Sequence, residues 1–170
     1  IYVKDVATGK TLDDHIMWAK FTKATWVGDG FYYSAYDAPE KGKETSAKNS
    51  VQKIYYHRIG TPQSDDRLFY QNPSQPLRFY EVSVNKEETV MYLTEAGMDN
   101  GNNLYVRDMT QTDAQFIQMC SDSRYIYAPV ETVGNRMYIL TNAGAPKYRL
   151  MVADVSNPGY ADWKELAREG

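Results

Sequence analysis

Four short apolar-aromatic strands recur along the chain at nearly even spacing, and this repeat narrows the fold more than any other feature. The copies are Ile1-Tyr2-Val3-Lys4-Asp5-Val6, Ile54-Tyr55-Tyr56-His57-Arg58-Ile59, Leu104-Tyr105-Val106-Arg107-Asp108-Met109 and Leu150-Met151-Val152-Ala153-Asp154-Val155. Their first residues lie 53, 50 and 46 positions apart. Periods in this range mark architectures whose units bury their faces only against neighbouring units. A unit of this length that holds several short strands is one blade of a β-propeller.

The spaces between the copies divide further. Ala24 to Val27, the turn Gly28-Asp29-Gly30 and Phe31 to Tyr36 read as a hairpin, because Gly-Asp and Asp-Gly supply the positive φ angles of tight turns. A polar loop from Asp37 to Ser50 leads to Val51–Ile59, then a turn over 60–65 and a fourth strand, Arg67 to Tyr70. The second unit repeats the order: Tyr80 to Val84, Thr89 to Thr94, a loop from Glu95 to Asn102, Leu104 to Met109, Phe116 to Met119. The third runs Tyr125 to Val130, Arg136 to Thr141, Tyr148 to Val155 and a last segment around Trp163 to Leu166. Residues 1–6 match only the third strand of a unit, so the chain begins inside a blade. Runs such as Val90-Met91-Tyr92-Leu93 are apolar at consecutive positions, the pattern of strands buried on both faces. The expected fold is therefore all-β, about three four-stranded antiparallel blades plus one strand, with a β-sandwich as runner-up. The blades fall at 21–77, 78–122 and 123–170, with 1–20 closing a preceding one. Three blades do not close a ring of four to eight, so the exposed blade faces are expected to self-associate.

Composition supports this and removes other classes. Fifteen tyrosines suit strands with a packed body and a wet edge. A net charge of −3 offers nothing to a phosphate backbone, which excludes nucleic acid as a partner. No apolar stretch reaches the roughly 18 residues that span a bilayer, so no membrane is expected. The chain opens at Ile1 rather than Met, so it is read as a mature or excised piece of a soluble protein whose compartment, cytoplasmic, periplasmic or secreted, is open. Cys120 is the sole cysteine and excludes an internal disulfide.

The chain offers no catalytic residues and no cofactor or metal site of its own. It has no Gly-x-Ser-x-Gly elbow, Gly-rich phosphate loop, HExxH or CxxC. His57, inside a strand, reads as a structural hydrogen-bonding group before a catalytic one. His15 lies in the polar connector Asp13-Asp14-His15 and reads as a solvated loop. Asp65-Asp66 and Glu87-Glu88 read as solvated turn carboxylates, and Cys120 as a buried apolar thiol. Asp99-Asn100-Gly101-Asn102 has a faint likeness to a calcium loop, without the spacing or closing Glu.

The stretch from Gln52 to Asp66, Gln-Lys-Ile-Tyr-Tyr-His-Arg-Ile-Gly-Thr-Pro-Gln-Ser-Asp-Asp, resembles the prolyl oligopeptidase family. Val3 to Lys10, Phe31 to Tyr36 and Thr141 to Leu150 agree with it, and only Ala167 to Gly170 drift from the pattern. The resemblance implies serine peptidases that cut short peptides after proline and join a seven-bladed propeller to an α/β-hydrolase domain carrying the Ser, Asp and His triad. It also implies that this chain is the middle of the propeller, non-catalytic alone. Its partners would be the remaining blades, the C-terminal hydrolase domain and short peptide substrates that the propeller admits as a steric filter. In the family a few propeller side chains reach towards substrate. Phe21 matches an aromatic at such a position and Met98 a sulfur-bearing one, while the family's arginine in that loop is Glu95 here, a departure. Packing within a blade is the alternative for Phe21, and a mobile loop the alternative for Met98. An oligopeptidase B-like peptidase and a non-enzymatic propeller scaffold are the competing functions.

Overall fold

The computed structural model describes residues 1–43 and 49–169. Residues 44–48 of the loop from Asp37 to Ser50, and Gly170, lie outside the described residues. Among the described residues the regular structure is fourteen strands and two single-turn 3-10 helices. No helix there is long and apolar enough to cross a membrane. The strands form one two-stranded and three four-stranded sheets, every reported pairing antiparallel, as the repeat predicts. By contact the chain divides into two compact units, Ile1–Glu81 and Val82–Gly170.

The first unit opens with β1 (Tyr2–Lys4) paired to β2 (Thr11–His15). The sequence reading missed β2 and made His15 part of a loop. This strand is short and polar because its buried position is filled by Asp14, while His15 is exposed and stacks on Tyr2 with ring centroids 4.3 Å apart. The next sheet runs β3 (Thr25–Val27), β4 (Gly30–Ala35), β5 (Lys53–Arg58) and β6 (Arg67–Gln71) in sequence order. Val27 pairs with Gly30, so the β3–β4 hairpin closes on Gly28-Asp29. Gly30 cannot be replaced without movement, since a Cβ there would lie 2.0 Å from the carbonyl oxygen of His57. All six residues of β4 are buried. On one face Phe31, Tyr33 and Ala35 pack with Val3 and Ile16, joining this sheet to the β1–β2 pair. On the other, Ser34 Oγ donates to the carbonyl of Tyr80 at 2.6 Å.

Tyr80 belongs to β7 (Phe79–Val84), an edge of the sheet β10-β9-β8-β7, with β8 (Val90–Ala96), β9 (Asn102–Asp108) and β10 (Ile117–Cys120). The second unit adds β11 (Tyr127–Val133), β12 (Arg136–Thr141), β13 (Arg149–Asp154) and β14 (Lys164–Ala167), again in order. Its core mixes Val90, Tyr92, Leu104 and Val106 from one sheet with Tyr127, Met137, Ile139, Met151 and Ala153 from the next. In the last sheet the two faces differ. Met137, Ile139, Met151 and Ala153 are buried, whereas their neighbours Tyr138, Leu140, Leu150 and Val152 stay partly or fully exposed. β14 is exposed at all four residues.

A side-chain amide pins successive sheets at matching places in the repeat. Gln52, two residues before Ile54, accepts from the Tyr80 N–H at 2.6 Å and donates to the Lys20 carbonyl at 3.0 Å. Asn102, two residues before Leu104, accepts from the Tyr127 N–H at 3.1 Å and donates to its carbonyl at 3.0 Å. Both amides are buried, and each caps a backbone group that would otherwise lose water without replacement. Replacing Asn102 by Ala should cost about 1–3 kcal/mol through the two orphaned groups of Tyr127. Leu166→Ala on exposed β14 should cost less than about 0.5 kcal/mol, and urea unfolding of both variants checks the contrast.

Candidate functional site

The candidate residues fall into three places. Phe21, in the first unit, lies between the β1–β2 pair and β3, 68% exposed, with its ring edge-on to Phe79 at 5.4 Å. Its φ of 52° puts a bulky side chain in the left-handed region, a conformation that persists only when surroundings impose it. Trp18, Val51, Glu88 and Tyr148 share that conformation, so strain alone does not single Phe21 out.

Glu95 and Met98 sit at the β8–β9 connection of the second unit. Glu95 is not in the loop: it is a residue of β8, opposite Asn103 of β9. Only 5% exposed, its carboxylate accepts from Asn103 Nδ2 and from the Tyr105 hydroxyl, each at 3.3 Å. Tyr105 in turn accepts from Gln118 Nε2 at 3.3 Å, so Glu95 heads a polar row across one sheet face. Those partners explain how a poor strand former extends β8. Met98, by contrast, is 92% exposed at the loop tip. The far root of the loop is fixed. Gly101 N–H bonds to the Ser123 carbonyl and Asn102 N–H to the Tyr125 carbonyl, both at 3.0 Å. Among the described residues no group of three or more His, Cys, Asp or Glu is placed to hold a metal ion.

The third place is polar and buried. His57, on β5, is enclosed by two carboxylates: Nδ1 lies 2.7 Å from Asp66 Oδ1 and Nε2 lies 2.9 Å from Asp14 Oδ1. The three side chains are almost wholly removed from solvent. Burial alone would push the imidazole towards neutrality, but the hydrogen bonds to Asp66 and Asp14 and their charges outweigh it and raise its pKa. For Asp14, burial works against ionisation, and the Gly60 N–H at 2.6 Å together with His57 more than offsets it, lowering the pKa. The Tyr33 hydroxyl donates to Asp66 Oδ2 at 2.6 Å, and burial with that carboxylate beside it raises the phenol's pKa. In the imidazolium form both ring nitrogens donate, and the raised pKa favours that form at His57. Asp66, read from sequence as a solvated turn residue, is one of its anchors. Sequence reasoning found His57 but not Asp14, Asp66 or the amide pins. A signal existed for the pins: aligning the repeats by their third strands puts Gln52 and Asn102 at the same offset.

Cys120 is buried at the end of β10, and burial pushes its thiol up to about 12. So little thiolate forms near neutral pH that it has no nucleophilic character.

Four-stranded antiparallel sheets that follow one another along the chain define a run of β-propeller blades. The comparisons with known proteins agree. The family model for the prolyl oligopeptidase N-terminal β-propeller domain matches residues 1–170. The chain belongs to that family. It is 32% identical over 170 residues to a prolyl endopeptidase of Elizabethkingia meningoseptica, covering 99% of this chain and 24% of that protein. It is 28% identical to prolyl oligopeptidase A of Amanita bisporigera, covering 86% of this chain and 21% of the relative. A solved structure from a study of two prolyl endopeptidases superposes with a TM-score of 0.84 at 27% identity, over 99% of this chain and 24% of that one. Prolyl oligopeptidase B from Galerina marginata, bound to a 35mer hydrolysis and macrocyclization substrate, gives 0.83 at 26% identity, over 97% and 24%. The chain thus spans about a quarter of the length of the relatives it matches.

Gly101 generates a test of the loop root. An added Cβ would lie 1.8 Å from the Tyr125 carbonyl oxygen, so Gly101→Ala must displace backbone. We expect a stability loss of about 1–3 kcal/mol in urea unfolding and a shifted Met98 methyl resonance by NMR.

Proposed function

We propose that this chain is the substrate-gating propeller segment of a serine-type prolyl endopeptidase that hydrolyses short peptides after proline. The observation that supports it most is a family match running through all 170 residues while relatives are about four times longer. The reactive serine, aspartate and histidine would lie in a C-terminal α/β-hydrolase domain of the same parent chain. The segments 21–77, 78–122 and 123–170 are three blades and 1–20 the close of another. The half-open face of the last sheet, with Tyr138, Leu140, Leu150 and Val152, fits a surface on which a further blade packs. The chain's role is then geometric: it excludes folded proteins and admits peptides, and the chemistry takes place elsewhere.

Within this reading Phe21, Glu95 and Met98 are the residues that meet a peptide. Phe21 and Met98 are exposed apolar side chains suited to packing on substrate. Glu95 brings a carboxylate where the family's pattern has an arginine. Being held by Asn103 and Tyr105, it would act through its charge more than by a reaching contact.

Three outcomes are expected. The 170-residue chain alone turns over no proline-containing reporter peptide, whereas the parent protein does and is blocked by a serine-directed inhibitor. Inhibitor-sensitive turnover by the isolated chain would refute this. In the parent, Phe21→Ala or Met98→Ala raises KM with kcat nearly unchanged. Losing about 1–2 kcal/mol of apolar contact corresponds to a five- to thirtyfold rise. In isolation, the open face of the last sheet drives reversible self-association, measured as a concentration-dependent sedimentation coefficient.

A further inference from the structure

His57 joins two sheets, and this gives it a consequence the peptidase reading does not use. Asp14 is on β2 of the two-stranded sheet, and His57 is on β5 of the following sheet. The same seam has a second attachment. Gln63 Oε1 accepts from Met17 N–H at 2.9 Å, and Gln63 Nε2 donates to the Met17 carbonyl at 3.1 Å and to the Tyr33 hydroxyl at 3.3 Å. A continuous polar chain therefore runs from the Met17 backbone through Gln63, Tyr33, Asp66 and His57 to Asp14 and the Gly60 N–H. Beside it lies a cleft of about 410 Å³ whose lining includes Leu12, Asp14, Ile59, Gly60 and Pro62.

We propose that the Asp14–His57–Asp66 triple is a pH-operated latch across the seam between the β1–β2 sheet and the β3–β6 sheet, closed while the imidazole carries two protons and released when it loses one. Every group facing the imidazole favours the closed form. From β2 comes Asp14, whose Oδ1 also accepts from the Gly60 N–H of the loop after β5; from the segment before β6 comes Asp66, itself bonded to Tyr33 of β4. The β4 neighbour is the uncharged ring of Phe31, 5.2 Å away. The nearest other charges point elsewhere: Arg58 pairs with exposed Asp29, and Asp13, Asp65 and Arg67 are exposed. A neutral imidazole has one N–H and one lone pair, so one carboxylate would then face an acceptor in a dry site, an arrangement that costs free energy. Gln63, which does not titrate, keeps the far end attached, so release opens the Asp14 end alone.

The signs follow from the directions of the shifts. A histidine with a raised folded pKa contributes stability that is complete below its unfolded value, about 6.5, and lost as pH climbs through the folded value. Asp14, lowered in the fold, contributes stability that is complete above its unfolded value, about 3.9, and lost as pH falls through the folded one. The latch is closed between those limits and opens on the alkaline side through His57.

The chain has only two histidines, so the His57 ring signals are readily assigned. NMR of the ¹⁵N-histidine-labelled chain should show His57 keeping both ring protons above the ordinary histidine value of about 6.5. Amide exchange at Gly60 and across β2, normalised for intrinsic rate, should rise at least tenfold as pH crosses the His57 titration. Asp14→Asn should lower the His57 titration by about one unit or more and move the onset of exchange with it. Should that variant fail to fold, Asp66→Asn provides the same readout from the other side. A His57 that titrates at or below the ordinary histidine value of about 6.5, or exchange at Gly60 indifferent to the His57 titration, overturns the latch. A purely structural hydrogen bond would leave that exchange profile unmoved.

Discussion

The fold depends on satisfying backbone amides where one sheet is laid against the next. A strand such as β4, buried at every residue, has no solvent to receive the polar groups its neighbours leave unpaired. In both units a carboxamide at the head of a third strand meets that need, Gln52 for Tyr80 and Asn102 for Tyr127. The details differ. Asn102 takes both the N–H and the carbonyl of its tyrosine, whereas Gln52 takes the N–H and leaves the carbonyl to Ser34. Apolar packing supplies most of the free energy of sheet association, but it is non-directional. The amides and the buried His57 ring fix which residue faces which.

Much of this architecture can be read from the sequence because it repeats. The near-constant period, the apolar runs of β4 and β8 and the Gly28-Asp29 hairpin are local patterns, and each forms as expected. What escaped is non-local. Thr11-Leu12-Asp13-Asp14-His15 has no apolar alternation, yet it is a strand, because the partner of its buried carboxylate lies 43 residues away. Asp66 reads as a turn residue until Tyr33, 33 residues earlier, is seen to close over it. Glu95 looks like the start of a loop because its supports, Asn103 and Tyr105, come from the strand that follows. In each case the group that makes a polar side chain's burial tolerable comes from another segment of the chain.

The stretch on which the likeness to the peptidase family rests, Gln52 to Asp66, is rich in side chains that bond to other segments. Its distinctive polar residues, Gln52, His57, Gln63 and Asp66, are all connectors between segments. Family identity is thus written in the joints, while the residues proposed to meet a peptide are an exposed ring in a strained backbone, an exposed thioether and a carboxylate held in a strand. A joint must satisfy several partners at once, which leaves few substitutes. An exposed contact needs only shape and polarity, which leaves many.

The exposed outer strand β14 has a different bearing on the molecule. It holds to β13 through a short, irregular ladder, Leu150 to Ala167, Met151 to Glu165 and Val152 to Lys164, and it carries the charges of Lys164 and of Glu165, the latter paired with Arg149 and Arg168. Charge on an open ladder discourages a stray strand from adding there. With little buried against it, this margin is the cheapest place to lengthen, label or tether the chain. It is also where unravelling would begin when the protein is warmed, leaving the pinned inner strands to yield last.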